Sequence, residues 1–561
     1  MPNILNNNAR QWLLSFAFGA VAFALTGLFW GMYLEDNEAI VAALHYGVLD
    51  EMGGEQYFSN FHTFLFPAIY QLGRLLPQVP VYGIFKMGFV LLMYAALIRY
   101  ALGELERHQL KGSLNLLLLL LLVVIVVSDN ALHLHCIRHS IVLSFAALLL
   151  NYQSIQRYGK TSAVAVVIFL IAVNTRSHSS AIMLACFGVF LLFSGMPVAK
   201  IVKHYWVMGA IAFFFLALYH IYGKYTTNMG KYIEAHYEYV LIEKPSLYPL
   251  ANMKTAKDSA KYEAISQFFL SDSAELTIPF FDRVANTKYE QKPIFTKDNF
   301  AFAFNEIGHQ SRAVLPVLSL WLLPFMGLFN KKLRQAGLRK TLAIILGAGL
   351  VLFSLLLILV NDMKPRFYSS FTAMVVFTAI MFYLPVFLQQ AGKAAKGALL
   401  LILLCIGAWQ WYSLRETAQW EREKEKQTQV HMRQLHAITA AQPVLMFMGS
   451  EIPFSSNPLY RSTPALYPKL ASFDGGYLVY FSYGRKRFEK LFGISPVNFP
   501  AVIDMLKKQT DVLFYITPER LPLINRYFET VYGVTFTVEP VVPKPALDLN
   551  GTLYKVKVAH I

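Results

Sequence analysis

The sequence predicts a polytopic α-helical membrane protein with about 11 transmembrane helices and a C-terminal extracytoplasmic α/β domain. Three observations carry this. Eleven apolar stretches lie between residues 11 and 412. Basic residues between them alternate in abundance, and strand-like and helical patterns alternate beyond residue 441. A helix crossing a hydrocarbon core of about 30 Å needs roughly 20 mostly apolar residues, because every backbone polar group must be paired within the helix.

The clearest spans are 12–33, 82–102, 114–128, 206–221, 342–360 and 371–387; shorter ones fall near 140–152, 161–174 and 179–195. With the N-terminus inside, the cytoplasmic loops hold fifteen basic residues, among them Arg10, Arg107, Arg157, Lys200, Lys331 and Lys393, while the short outer loops hold four: Arg138, Arg176, Lys364 and Arg366. Basic residues in short loops resist translocation, so this split sets the orientation. The long segments 223–312 and 413–561 then lie outside, since long domains cross largely regardless of charge. The first span, about 22 residues with no small-residue cleavage site behind it, reads as an uncleaved anchor.

Residues 1–412 thus form a transmembrane domain with outer loops 34–80 and 223–312. Residues 37–52 of the first loop have a helical apolar side broken by Gly53 and Gly54, and 61–76 suit a helix lying in the outer interface. Segment 223–312, rich in Tyr, Lys and Glu, is expected to form helices over the outer face. A charged connecting helix occupies 413–440, with Glu421 to Lys426 at its centre, and 441–561 form the α/β domain. There, 443–448, 511–516, 534–540 and 552–558 read as strands and 499–508 and 518–531 as helices, an alternation that favours a small α/β unit able to bury its own core.

Composition fits this scheme. The chain of 561 residues is 56% hydrophobic and 15% aromatic, with a mean hydropathy of +0.43. Its net charge of +16 comes largely from the cytoplasmic loops and suits attraction to anionic membrane lipids. No basic stripe interleaved with aromatics appears in a soluble segment, so no nucleic-acid partner is expected. The three cysteines, Cys136, Cys186 and Cys405, lie in or beside apolar spans and offer no disulfide framework. Their absence from the extracytoplasmic segments favours a bacterial inner membrane.

Two groups of residues could carry chemistry. Glu35-Asp36-Asn37-Glu38 follows the first span on the outer side. Carboxylates there suit a general base toward an acceptor hydroxyl, or a divalent cation (Mg or Mn) held by Asp36 and Glu35; a solvated helix cap would look the same. The second group is the set of cations that break the inside bias: Arg138 with His139, Arg176 with His178, and Lys364 with Arg366. A cation at membrane depth is costly unless paired, so such residues face a polar cavity or a ligand, and phosphate fits the bidentate fork of arginine. Snorkelling to the interface is the plainer alternative for any one of them. His133, His135 and His139 raise zinc as a weak option, since sequence places no third ligand beyond the pair at i, i+4.

Together, Glu35-Asp36 after the first span, the Asn60-Phe61-His62 to Pro67 stretch, and Lys364-Pro365-Arg366-Phe367-Tyr368 resemble the GT-C superfamily of integral membrane glycosyltransferases. That resemblance implies transfer of a sugar from a polyprenyl-phosphate or -diphosphate carrier to a lipid, glycan or protein hydroxyl at the extracytoplasmic face. Asp36 and Glu35 would then be catalytic, Arg366, Lys364, Arg138 and Arg176 would hold the donor phosphate, and Glu38, His62, His139, His178 and Tyr368 would join the site. Phe367 stands where the family's Pro-Arg-Tyr-type motif has tyrosine, with Tyr368 next. Arg138-His139-Ser140 and Arg176-Ser177-His178-Ser179 are also similar to stretches of exopolysaccharide and O-antigen polymerases. Those proteins usually have no large soluble C-terminal domain. A transporter or flippase for an anionic lipid would instead place ionisable residues mid-span, whereas here charges sit at span ends. A non-catalytic scaffold would need no cations at the outer boundary.

Overall fold

The structure is a computed structural model that describes residues 8–35, 42, 65–193, 195–225, 255–266, 272, 274–277, 280, 315–317, 319–320, 349, 365–446, 455–460, 468–472, 482–509, 511–541 and 552–560. Among these, six helices are long and apolar enough to cross a membrane, and two further apolar helices are shorter. The expected helix at 37–52 and span at 342–360 lie outside the described residues, as does most of 223–312.

The chain begins with α1 (Asn8–Phe29), followed by a two-residue strand β1 (Tyr33–Leu34). Next come α2 (Leu65–Leu75) and α3 (Val81–Arg107), then α4 (Ser113–Leu132), a second short strand β2 (His133–Leu134) and α5 (Cys136–Tyr158). Then follow α6 (Ala163–Thr175), α7 (Ser177–Phe193) and α8 (Val198–Tyr225). Later in the chain lie α9 (Ala256–Ser266) and α10 (Pro365–Gln390). These helices, α9 excepted, contribute to one continuous apolar core.

Each helix's sequence fits its place. The buried residues of α1 are Gln11, Ser15, Gly19, Ala22 and Thr26, a helical stripe of small and polar residues laid against α3, while Leu13 and Leu28 stay exposed. A Cβ on Gly19 would stand 3.2 Å from the Ala95 nitrogen, so glycine sets how closely the two backbones approach. The outward face of α1 is apolar, as suits a helix that meets lipid. The helix at the centre is α5: it packs on α3, α6, α7 and α10, and all its residues from Arg138 to Tyr152 are buried. Enclosed by protein, α5 needs no uniformly apolar surface and carries Arg138, His139, Ser140, Ser144 and Asn151 in its interior.

The predicted charged connector and the last span form a single helix, α11 (Lys393–Ala441), 49 residues long. Its second half leads into the sheet unit: β3 (Val444–Met446), β4 (Leu470–Ser472), α12 (Ser482–Phe492), α13 (Phe499–Lys508), β5 (Leu513–Ile516), α14 (Leu521–Tyr532), β6 (Val534–Pro540) and β7 (Thr552–His560). The five strands are ordered β4-β3-β5-β7-β6. β3 runs parallel to both β4 and β5, and β7 is antiparallel to β5 and β6. A separate apolar core fills this unit, with Phe499, Phe514, Tyr527 and Phe528 at its centre. Asn498 caps α13 by accepting from the Ala501 N–H, and the left-handed Gly533 (φ 64°) ends α14 and turns the chain into β6. The sequence showed neither β4 nor α12.

Of segment 223–312, the described part includes the end of α8 and the helix α9. α9 packs on α14 of the sheet unit, and Ala264 joins that unit's core. Asp272 fixes the attachment: its Oδ2 accepts from the hydroxyls of Tyr527 and Tyr532, each at 2.5 Å. Arg526 adds a two-pronged contact to Glu263 at 2.9 Å on the surface.

Candidate functional site

Two short strands create the site. Just past α1, Tyr33 and Leu34 pair in parallel with His133 and Leu134, which lie between α4 and α5. The pairing holds Glu35 beside the first turn of α5, where the Arg138 side chain emerges. Arg138 donates from Nε to Glu35 Oε2 at 2.8 Å and from Nη2 to Glu35 Oε1 at 3.4 Å. Its Nη1 donates to Asp129 Oδ2 at 2.9 Å and to Ser369 Oγ at 2.8 Å. Residues more than 200 positions apart in sequence therefore share one guanidinium. Next to it, Ser370 donates to Asn130 Oδ1 at 2.6 Å, tying α10 to α4 a second time.

This geometry gives several expected site residues particular surroundings. Arg138 was expected to hold a donor phosphate; in the structure its N–H groups go to Glu35, Asp129 and Ser369, which makes it the frame of the site. Burial alone would raise the Glu35 carboxyl, but the Arg138 guanidinium outweighs that and holds it below the usual carboxylate range. Glu35 is thus ionised and a weak base. Both its oxygens face Arg138. Among the described residues no three His, Cys, Asp or Glu side chains group as they would around a metal.

The histidines divide. Burial pushes the His133 imidazole down, but its bond to Asp129 outweighs this and raises it. His135 caps α5, its Nδ1 accepting from the Ile137 N–H at 3.0 Å. Burial, reinforced by the charges of Arg366, Lys86, Arg138 and Arg176, holds His135 well below the usual imidazole range and so neutral. The four cations come from four helices or their ends. His139 is fully buried with its ring 5.7 Å from Phe89, and neither of its nitrogens meets a hydrogen-bond partner among the described residues.

Arg366 is buried in the first turn of α10, and its carbonyl accepts from Ser370 at 2.7 Å. Arg176 ends α6, where its carbonyl accepts from Ser140 Oγ at 2.9 Å. His178 is exposed in the first turn of α7. Asp36, Glu38, His62 and Lys364 lie outside the described residues, and so does the side chain of Tyr368. Three members were missed in the sequence: Asp129, Asn130 and Ser369. Ser128-Asp129-Asn130 ends the leucine-rich span, and that run of polar residues at a predicted outer boundary was the available signal.

The sheet unit reaches this site through a strap, residues 455–460. The Ser456 carbonyl accepts from the Leu34 N–H at 2.7 Å, on the strand that presents Glu35. Glu425 of α11 holds the strap, accepting from Ser455 Oγ at 2.5 Å, the Ser456 N–H at 2.7 Å and Ser456 Oγ at 2.9 Å. The Pro458 backbone lies so close to Gly83 of α3 that a Cβ there would overlap its carbonyl. Arg422 of α11 meets Tyr33 Oη at 3.2 Å and the Phe29 carbonyl at 3.1 Å.

A bundle of apolar helices thus presents two acids that share one arginine at one end, latched to a sheet-containing unit. No family model matches this chain, and no curated protein matches it.

Proposed function

We propose that the chain is a GT-C-type membrane glycosyltransferase. It moves a sugar from a polyprenyl-(di)phosphate carrier to a hydroxyl acceptor at the extracytoplasmic face, in cell-envelope glycan or glycoconjugate synthesis. The finer architecture belongs to the same proposal: about 11 spans, the N-terminus inside, the sheet unit outside and a bacterial inner membrane. The supporting observation is convergence. Glu35, Arg138 and Ser369 come from three distant parts of the chain and form one polar cluster, with Arg366 and Arg176 close enough to His135 to influence it.

In this reading the acceptor hydroxyl attacks the anomeric carbon as the carbon–oxygen bond to the carrier phosphate breaks. Asp36, the carboxylate next to Glu35, takes or orients the hydroxyl proton. The leaving phosphate gains charge in the transition state, and preorganised cations lower that barrier most where water is excluded. Arg366, with Lys364 and Arg176, serves there. Glu35 and Asp129 hold Arg138 in place, so that the cation field keeps its shape while substrate exchanges. The role of the sheet unit in acceptor binding is by analogy alone.

Radiolabelled transfer in proteoliposomes tests the proposal. Asp36→Asn and Arg366→Ala should each lower turnover by about 100-fold or more, the scale seen when a transition-state charge partner is removed. Wild-type rates in both variants would take these residues out of the site.

A second reading, a polymerase of lipid-linked repeat units, is favoured by one contact. Ser140 of the Arg138-His139-Ser140 stretch donates to the Arg176 carbonyl and shares a hydrogen bond with Ser180 at 2.8 Å, so the two similar stretches touch. Product length separates the readings: one sugar added per acceptor, or a ladder of repeats.

A further inference from the structure

The strand that presents Glu35 is held along both edges, and one hold comes from more than 400 residues away in the chain. On one edge β1 pairs with β2, and the Glu35 N–H donates to the Leu134 carbonyl at 3.4 Å. On the other, the Leu34 N–H donates to the Ser456 carbonyl at 2.7 Å, the shorter of the two bonds.

The strap that supplies this carbonyl, residues 455–460 between β3 and β4, is a turn closed on itself. Ser455 Oγ accepts from the Asn457 N–H at 3.2 Å, and Asn457 Oδ1 accepts from the Leu459 N–H at 2.9 Å. The Asn457 carbonyl accepts from the Tyr460 N–H at 3.0 Å. Such side-chain and backbone closures stiffen a turn, so fixing one end of the strap fixes the Ser456 carbonyl. Glu425 of α11, 8% exposed, fixes that end. Three donors of the strap meet its carboxylate: Ser455 Oγ, the Ser456 N–H and Ser456 Oγ. Gln429 Nε2, one turn along α11, adds a fourth at 3.0 Å. Bonds to an ionised carboxylate are roughly twice as strong as neutral ones. Arg422, one turn before Glu425, contacts Tyr33 Oη and the Phe29 carbonyl. One helix therefore reaches β1 twice, directly through Arg422 and by way of the strap through Glu425.

We infer that Glu425 is a positioning residue of the outer cluster: through the strap it holds β1, and with it Glu35 beside Arg138. The sheet unit is thereby part of the frame of the site. The effect on turnover rests on the transferase reading; the coupling of strap to strand does not.

Amide hydrogen exchange of the full chain in nanodiscs, read at Ser456, Leu34 and Glu35, tests the coupling. Glu425→Ala should speed exchange at Ser456 and, by about tenfold or more, at Leu34 and Glu35, since losing charge-assisted bonds is worth at least that factor. Amides in the middle of α3 should keep their rates. Faster exchange at Ser456 alone makes Glu425 a local clasp of the strap and overturns the inference. Glu425→Gln, which keeps one acceptor oxygen, should fall between. Should Glu425→Ala fail to fold, Glu425→Gln decides, and wild-type exchange at Leu34 overturns the inference. In the transfer assay Glu425→Ala should lower kcat by up to about 100-fold at unchanged KM for the lipid-linked donor, because a misplaced group slows chemistry more than binding. Wild-type kcat in Glu425→Ala also overturns it. A wild-type chain that transfers no sugar overturns the transferase reading instead, and exchange alone then decides the coupling.

Discussion

Two buried acids in this protein are stabilised by opposite means. Asp129, near the C-terminal end of the apolar helix α4, is met by the full charge of Arg138, which it shares with Glu35. Among the described residues, Asp272 at the sheet unit meets neutral donors: two tyrosine hydroxyls, and the backbone N–H groups of Ala274 and Glu275 at 3.1 and 3.2 Å. The contrast follows from the surroundings. Buried inside a bundle of apolar helices, an uncompensated charge has nowhere to spread, so acids and arginine come as one interlocked set. At the sheet unit, several oriented dipoles disperse one charge, and each can be lost separately.

The largest effect should come from breaking the interlocked set. Arg138→Met strands two acids and should cost about 3–5 kcal/mol, read as a lower thermal midpoint in detergent. Arg138→Lys should recover part of it, because an ammonium cannot span both acids with a planar fork. If Arg138→Met unfolds like wild type, the acids have another partner and the contrast fails.

The neutral-donor site should respond in smaller steps. Tyr532→Phe removes one of the hydrogen bonds to the Asp272 carboxylate, worth about 1.5–3 kcal/mol, and should loosen only α9 and its flanks, seen as protease cleavage near 255–280 while the bundle keeps its midpoint. Its pH dependence has a definite sign. Burial, and then the charge of Asp272, raise the Tyr527 and Tyr532 hydroxyls above their ordinary value of 10.0. Docking should therefore be constant below about pH 10, the unfolded value, and weaken above it as the unfolded phenols ionise first. Tyr527→Phe should flatten that alkaline limb.

A smaller change should come from the strap. Gly83→Ala places a Cβ against the Pro458 carbonyl and should cost about 1–3 kcal/mol as an overpacked contact. The readout is faster thiol labelling of an Asn457→Cys probe, and unchanged labelling would dissociate the strap from α3. Least of all is the acid limb of Glu35. Because its folded value lies below 4.5, its pairing stabilises above that pH and fades as pH falls through the folded value. Glu35→Gln should remove this limb from a pH–stability profile, changing stability by less than at Arg138 because Asp129 still neutralises the guanidinium.

Local patterns carried far in this sequence. Helix 499–508 and strand 534–540 match the structure residue for residue, because their apolar spacing is a signal read within a few turns of the chain. Glu35, Arg138 and Arg366 stood out because charges at span ends are expensive wherever they occur. Asp129 did not stand out, since it ends a helix whose other residues are nearly all apolar, and nothing nearby in sequence reveals its partner. β4 has only three residues, too short for any periodicity to show. α5 was recognised only in its middle, 140–152, because a helix walled in by protein need not look like one facing lipid.

The order of apolar and polar residues by itself determined that this chain enters a membrane, which ends of its helices hold charge, and that a mixed helix-and-strand unit follows. These follow from transfer free energies and backbone pairing, which act locally. Only tertiary structure decided that one arginine serves two acids contributed by segments about 100 residues apart, that strand β1 is held between β2 and the strap, and that Asp272 docks on α14. Such pairings depend on which surfaces meet once helices pack, a choice made by shape and buried charge across the whole molecule and written in no single stretch of the chain.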